Sequence, residues 1–185
     1  MEIIEEPIKG LKLLKPRVFG DHRGYFFESY NKKTFESVGI NDEFVQDNQS
    51  FSQKNVLRGL HFQTGEFAQA KLVRVISGSV YDVALDIRKG SPTYGKTYGV
   101  ELNATNQYQF YVPVGFAHGF VTLEDNTIFA YKCSNYYSPG HEGGIMFNDP
   151  DLNIDWKVDN PILSEKDREN EDFKLFESPF EYEEK

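Results

Sequence analysis

From Phe44 to about Tyr136 the side chains alternate at a period of two, and a run that long leaves few architectures open. Lys71-Leu72-Val73-Arg74-Val75-Ile76 runs into Ser77-Gly78-Ser79 and then Val80-Tyr81-Asp82-Val83-Ala84-Leu85-Asp86-Ile87, which reads as strand, tight turn, strand. Residues 98–102, 107–112, 119–123 and 127–133 are further strands, separated by turn formers such as Asn103-Ala104-Thr105-Asn106 and Glu124-Asp125-Asn126. Many short strands at close spacing predict an all-β fold, an antiparallel sandwich or barrel of the jelly-roll kind. Helix is scarce: residues 32–38 make a short one ending at Gly39, and a second opens at Ser164 with Asp167 as a capping-box-like partner. The acidic, aromatic stretch 177–185 reads as a surface tail or a packing arm.

A chain of 185 residues suits one domain, with the β-roll core at about 44–136 and a peripheral acidic segment at about 168–185. Hydrophobic content of 39% is slightly low, but an aromatic share of 15% compensates through the area each ring buries. A formal charge of −9 argues against nucleic-acid binding, which leans on a basic face. No apolar run approaches the ~20 residues needed to cross a bilayer. The acidic opening Met1-Glu2-Ile3-Ile4-Glu5-Glu6 lacks the features of a signal peptide. Cys133 is alone, so no intrachain disulfide forms, and the expectation is a cytoplasmic protein.

Against that acidic background, Arg58-Gly59-Leu60-His61-Phe62-Gln63 and the following Lys71-Leu72-Val73-Arg74 gather cations around a histidine, as an anionic ligand requires. Alternation sends Gly59, His61 and Gln63 to one face and Leu60 and Phe62 to the other. The bland reading of His61 is a structural histidine bonded to backbone. Arg58 has the opposite parity, and joins the same cavity only if it precedes the strand or if Gly59 permits a bulge. Lys71 shares its inward parity with Val73 and Val75, and Asp82 across the Gly78 turn is a plausible partner for its ammonium. Phe129, Tyr131 and Cys133 share a face, which for Tyr131 alone reads as core. Jelly-roll metal sites of the cupin type pair two histidines one residue apart with a later Glu and a third His. Here Phe62 and Gln63 follow His61, His118 is isolated, and His22 and His141 sit in loop-like segments, so the site reads as metal-free. Asp21-His22-Arg23-Gly24-Tyr25-Phe26-Phe27-Glu28 suits an anion and a stacked ring, Gln46-Asp47-Asn48 suits hydrogen-bonding edges, and Ser164-Glu165-Lys166-Asp167 offers a cation and a carboxylate. Singly, each reads as a solvated loop or a cap.

Taken in order from about residue 3 to residue 170, these segments resemble the dTDP-4-dehydrorhamnose 3,5-epimerase family, a branch of the cupin jelly rolls. Val56 to Gln63, Gln69-Ala70-Lys71, Ser91-Pro92-Thr93, Pro113 to Phe120, Tyr131 and Asn148-Asp149-Pro150 also carry the resemblance. It implies a double-stranded β-helix with a few short peripheral helices, a homodimer, and no cofactor or metal. The implied reaction converts dTDP-4-dehydro-6-deoxy-D-glucose to dTDP-4-dehydro-L-rhamnose, on the route to dTDP-L-rhamnose. By matching motif, His61 is the base, Tyr131 the acid and Asp167 the carboxylate that orients the histidine. Arg23, Glu28, Gln46, Asp47, Asn48, Arg58, Lys71, His118, Glu142 and Lys166 fall at positions resembling substrate-binding residues.

Elementary chemistry supports the same equipment. Inverting a carbon next to a ketone removes its proton on one face and returns one on the other, so a base and an acid must flank the sugar. Imidazole, with an ordinary pKa near ~6.5, suits the first role and a phenol the second. The enolate oxygen needs a fixed cation, for which inward-facing Lys71 is placed. Phe26 or Tyr136 would stack on thymine. Two other readings stand beside this one: a relative that inverts C3 or C5 alone, and a non-catalytic nucleotide-sugar-binding jelly roll. A metal-dependent cupin isomerase or dioxygenase lacks its ligands.

Overall fold

A computed structural model describes residues 1–184; Lys185, the end of the expected C-terminal arm, lies outside the described residues. The strands begin with β1 (Glu2–Ile8), β2 (Leu11–Lys15), β3 (Phe19–Asp21), β4 (Gly24–Phe26), β5 (Gln46–Ser52), β6 (Leu57–Gln63) and β7 (Lys71–Ser77). They continue with β8 (Ser79–Asp86), β9 (Arg88–Lys89), β10 (Thr97–Asn103), β11 (Gln109–Val112), β12 (Phe116–Thr122), β13 (Thr127–Cys133), β14 (Glu142–Gly144) and β15 (Phe180–Glu181). One sheet has the order β1-β2-β11-β7-β13-β5 and the other β10-β8-β12-β6-β14, every pairing within them antiparallel. The expected all-β jelly roll is thus built as two facing sheets.

Period two decides what lies between the sheets. Leu11, Leu13, Val73, Val75, Phe110, Val112 and Phe129 of the first sheet meet Val80, Ala84, Leu102, Phe116 and Phe120 of the second in one buried cluster. Phe120 and Phe129 stack across the gap with ring centroids 4.0 Å apart. Each such side chain contributes roughly 1.5–3 kcal/mol of transfer free energy. The alternate residues are covered too. Leu60, Phe62, Val83, Leu85, Ala117 and Val121 pack under Ile145, Leu152, Trp156, Phe173, Phe176 and Phe180, while Leu14, Leu72 and Tyr111 pack under Phe35 and Ile40. The C-terminal stretch is therefore a packing arm: Ser178 is buried, and β15 pairs in parallel with β9.

Three elements differ from the sequence reading. Gln46-Asp47-Asn48, read singly as a loop or cap, opens strand β5, in which Gln46, Asn48 and Ser50 are half-buried and Asp47, Gln49 and Phe51 exposed. Its alternation runs through polar residues on both faces, so hydropathy does not reveal it. The sheet also reaches outside 44–136, because β1 and β2 extend it and Leu11 and Leu13 join the central core. The helix expected from Ser164 is only a 3₁₀ turn, Lys166–Arg168. The cap forms, with the Asp167 N–H donating to Ser164 Oγ at 3.2 Å, while the Asp167 carboxylate bonds the Ser164 hydroxyl and His61. The other helix, α1 (Lys32–Glu36), forms near its expected place and closes through the Ile40 N–H to Phe35 O at 3.0 Å. Among the described residues no helix is long and apolar enough to cross a membrane.

One irregularity positions the site. Between β12 and β6, His118 pairs with His61 and Phe120 with Arg58, so β6 carries one extra residue at Gly59-Leu60. This bulge returns Arg58 to the inner face beside His61. Gly59 has φ +134°, and a Cβ there would lie 2.5 Å from Gly119 Cα. Gly59→Ala is therefore expected to destabilise by more than about 1 kcal/mol in denaturant unfolding. Gly140→Ala, at a position with open space around it, should stay within about 0.5 kcal/mol of the parent.

Candidate active site

A cavity of ≈ 410 Å³ lies between the inner faces of the two sheets. Arg58, His61 and His118 enter it from the second sheet; Asn48, Ser50, Lys71, Phe129 and Tyr131 enter from the first; Ser164, Lys166 and Asp167 come from the 3₁₀ turn. An adjoining hollow of ≈ 220 Å³ shares Asn48, His61, Lys71 and Tyr131 and adds Gln46, Gln63, Gln69, Tyr137 and Glu142. The alternation read from 59–63 holds, since Leu60 and Phe62 lie in the outer cluster and His61 faces the cavity.

Asp167, 3% exposed, organises one end. Its Oδ1 lies 2.6 Å from His61 Nε2, and its Oδ2 accepts a hydrogen bond from Ser164 Oγ at 2.7 Å. Burial pushes the Asp167 carboxyl up, but the His61 and Ser164 hydrogen bonds outweigh it and hold the group below the ordinary carboxylate range. An ionised carboxylate can only accept, so Nε2 carries the proton and Nδ1 of a neutral His61 is left with its lone pair free to accept one.

A second imidazole–carboxylate pair stands beside the first. His118 Nε2 lies 2.7 Å from Asp82 Oδ1, with both residues buried. This corrects the expected Lys71–Asp82 pair, because the nearer hydrogen-bonding group to Oδ1 is the imidazole from the adjacent strand β12. Lys71 is half-buried, and its ammonium makes no hydrogen bond or ion pair among the described residues. Burial pushes its ammonium pKa down, opposed by Cys133, Asp82 and Glu142. Tyr131 is pushed the other way: burial raises the phenol, Cys133 and Glu142 add to this, and Arg58 opposes it. The phenol therefore keeps its proton at neutral pH. Arg58 is exposed at the cavity and donates to Ser52 Oγ at 3.4 Å.

At the rim Lys166 pairs with Glu142, which also accepts from Tyr137 Oη at 2.7 Å. Burial alone would raise Glu142, and those two partners hold it below its ordinary range. Both ends of the Gln46 amide are engaged, the nitrogen donating to Asn48 Oδ1 at 3.0 Å and the oxygen accepting from the Tyr137 N–H at 3.1 Å. Asn48 donates in turn to Cys133 Sγ at 3.5 Å.

Some sequence candidates lie outside the cavity of their own chain. Arg23 pairs with Asp21 on the exposed β3–β4 hairpin, Glu28 accepts from Asn31 Nδ2 at 2.7 Å, and Asp47 pairs with Lys132 at 2.7 Å on the outer face of β5. Phe26 and Tyr136 are exposed and line neither hollow; Tyr137, which sequence reasoning passed over, does. His22 sits in the hairpin turn, and His141 bonds Ser138 and packs on Phe67, as loop residues would. Among the described residues no group of three or more His, Cys, Asp or Glu is arranged to hold a metal ion.

Because the Asp167 carboxyl is held low, its contribution to stability is full above the ordinary pKa of ~3.9 and is lost as pH falls through the lowered value. The unfolding free-energy gap between the parent and Asp167→Asn should therefore be constant above about pH 5 and close in stronger acid. Turnover by that variant should fall about 10²–10⁴-fold, since the wrong tautomer faces the cavity.

The family described as dTDP-4-dehydrorhamnose 3,5-epimerase matches residues 5–174 of the chain. A Salmonella typhimurium protein of that name is 56% identical over 169 residues, which are 90% of this chain and 92% of its own. A Shigella flexneri protein of the same name is 52% identical over 174 residues, 94% of this chain and 96% of its own. The crystal structure of a dTDP-6-deoxy-D-glucose-3,5-epimerase from Legionella pneumophila, in complex with dTDP-4-keto-L-rhamnose, superposes with a TM-score of 0.94 at 47% identity over 99% of each chain. The paired imidazoles, the facing phenol and these likenesses agree, and the chain belongs to the dTDP-4-dehydrorhamnose 3,5-epimerase family.

Proposed function

We propose that this protein converts dTDP-4-dehydro-6-deoxy-D-glucose to dTDP-4-dehydro-L-rhamnose by inverting C3 and C5 through enolate intermediates, in dTDP-L-rhamnose biosynthesis. The observation that carries the mechanism is the placement of His61 on one sheet and Tyr131 on the facing one, both lining one cavity. A sugar between them meets a base on one face and an acid on the other. His61 Nδ1 takes the proton from the carbon beside the ketone, and Asp167 stabilises the resulting imidazolium. The electron pair moves onto the C4 oxygen, where Lys71 supplies positive charge. Tyr131 then returns a proton from the opposite face, and the proton held by His61 passes to solvent as Tyr131 is reprotonated. The same equipment serves the second carbon.

Arg58 and Lys166 at the cavity mouth suit the pyrophosphate. We read the protein as a cytoplasmic, single-domain enzyme that acts as a homodimer without cofactor or metal. Arg23 and Glu28 lie outside the cavity of their own chain, on a hairpin whose Phe19, Tyr25 and Phe26 are exposed. A second copy would bring that hairpin to its neighbour's cavity, where Arg23 and Glu28 would meet substrate.

In deuterated water, proton NMR should show solvent deuterium entering both C3 and C5; entry at one position alone would make this a single-carbon epimerase. His61→Ala should abolish the exchange while leaving dTDP affinity within a few-fold, whereas Tyr131→Phe should exchange without inverting and lose about 10²-fold or more in product formation. Mixing Arg23→Ala with His61→Ala subunits should restore part of the activity, because one site in the mixed dimer then has both residues; no restoration would mean that Arg23 does not act across the dimer.

A further inference from the structure

The Ser164 hydroxyl has one proton, and its direction is fixed by its neighbours. Ser164 Oγ accepts the Asp167 N–H at 3.2 Å and lies 2.7 Å from Asp167 Oδ2. An ionised carboxylate has nothing to donate, so the hydroxyl proton points at Oδ2. Oδ1 lies 2.6 Å from His61 Nε2, so both oxygens of this buried carboxylate are held. A second pair gives the contrast. Asp82 Oδ1 and His118 Nε2 are 2.7 Å apart, yet Asp82 Oδ2 has no hydrogen-bond partner among the described residues. Of the two pairs, the one whose imidazole is the more exposed has the third member.

The backbone also makes Ser164 a fixed reference. Two residues before it, the Ile162 N–H donates to Asn55 O at 2.7 Å, and Ile162 O accepts the Leu57 N–H at 2.9 Å, in a parallel bridge to Val56. Leu57 opens β6, the strand that carries His61. Turn and strand are thus registered to one another, and the hydroxyl passes that register to the carboxylate.

We propose that Ser164 is a positioning residue for the base: it fixes the rotation of the Asp167 carboxylate, so that Oδ1 faces His61, and restrains the basicity of the imidazole. This rests on the reading of His61 as the base. Protonating His61 turns a pair with one net negative charge into a neutral pair. A hydroxyl donating to Oδ2 stabilises the negative pair more, which keeps the proton affinity of the imidazole down. The charged and titratable groups that face the pair are Arg58 on β6, Lys71 on β7, His118 on β12, Tyr131 on β13, Glu142 on β14 and Lys166 on the turn. None of these six bonds the Asp167 carboxylate, whose donors are His61, Ser164 and, at 3.5 Å, the Gly59 N–H.

Ser164 is itself exposed, so Ser164→Ala opens no cavity in the core, and Ser164→Thr keeps the hydroxyl. In Ser164→Ala, kcat should fall about 10- to 100-fold with dTDP affinity within a few-fold. The acid limb of kcat/KM should move about 0.5–1 pH unit toward alkali. A proton NMR titration of the His61 ring, assigned by its loss in His61→Ala, should move likewise, and Ser164→Thr should restore both. Added to Asp167→Asn, Ser164→Ala should cost less than about three-fold further, because no carboxylate charge is left to hold. A Ser164 that only caps the turn would lower the melting temperature without moving the His61 titration. An unmoved or acid-shifted titration in Ser164→Ala, or an equal loss in the two backgrounds, overturns the proposal. If Ser164→Ala does not fold, Ser164→Cys, a weaker donor in the same place, should give a smaller shift of the same sign, and no shift again overturns it. A parent enzyme that does not epimerise, or a fully active His61→Ala, would instead remove the reading on which the proposal rests.

Discussion

The contact on which the site depends is the close approach of β6 and β12 at Gly59 and Gly119. No side chain fits at Gly59, and the extra residue there shifts the parity of everything that precedes it on β6. Without the shift, Arg58 and His61 would lie on opposite faces of the second sheet. With it, a guanidinium and an imidazole enter one cavity three positions apart in the chain, and the Gly59 N–H comes within 3.5 Å of Asp167 Oδ1. Backbone geometry, side-chain direction and the carboxylate anchor are thus set at one place.

An acidic protein that binds an anionic substrate must confine its positive charge. Here Arg58, Lys71 and Lys166 line the cavity with His61 and His118, and each of these two imidazoles is tied to a buried carboxylate. The two pairs lie in register on adjacent strands but differ in exposure. The His61 side chain is 26% exposed and the His118 side chain 6%, which suits one to exchange protons and the other to remain fixed. Hydrogen bonding and burial act in opposition on Asp167, and hydrogen bonding prevails; on Tyr131 burial prevails, so the two groups are set by opposite balances.

Much of this was legible in the sequence. The strand–turn–strand from Lys71 to Ile87 has clean alternation, and both strands form where the pattern puts them. Inward Lys71, inward His61 and the conditional bulge at Gly59 follow from parity and from glycine alone. Strand β5 was hidden because Gln46, Asn48 and Ser50 are polar on the face turned to the cavity and its adjoining hollow, where open space replaces apolar contact. The Asp82–His118 pair was hidden because residues 36 positions apart meet only through sheet order, which local pattern does not specify. Arg23 and Asp47 carry a plausible chemistry, but the fold places both on outer surfaces of the chain.

Asp167 reaches His61 from 106 residues further along the chain, on a turn followed by the arm that covers the second sheet with Phe173, Phe176 and Phe180. The chain must therefore be made through Asp167 before His61 acquires its partner. A chain cut short before Ser164 would leave His61 without its carboxylate and the second sheet without the cover of Phe173, Phe176 and Phe180.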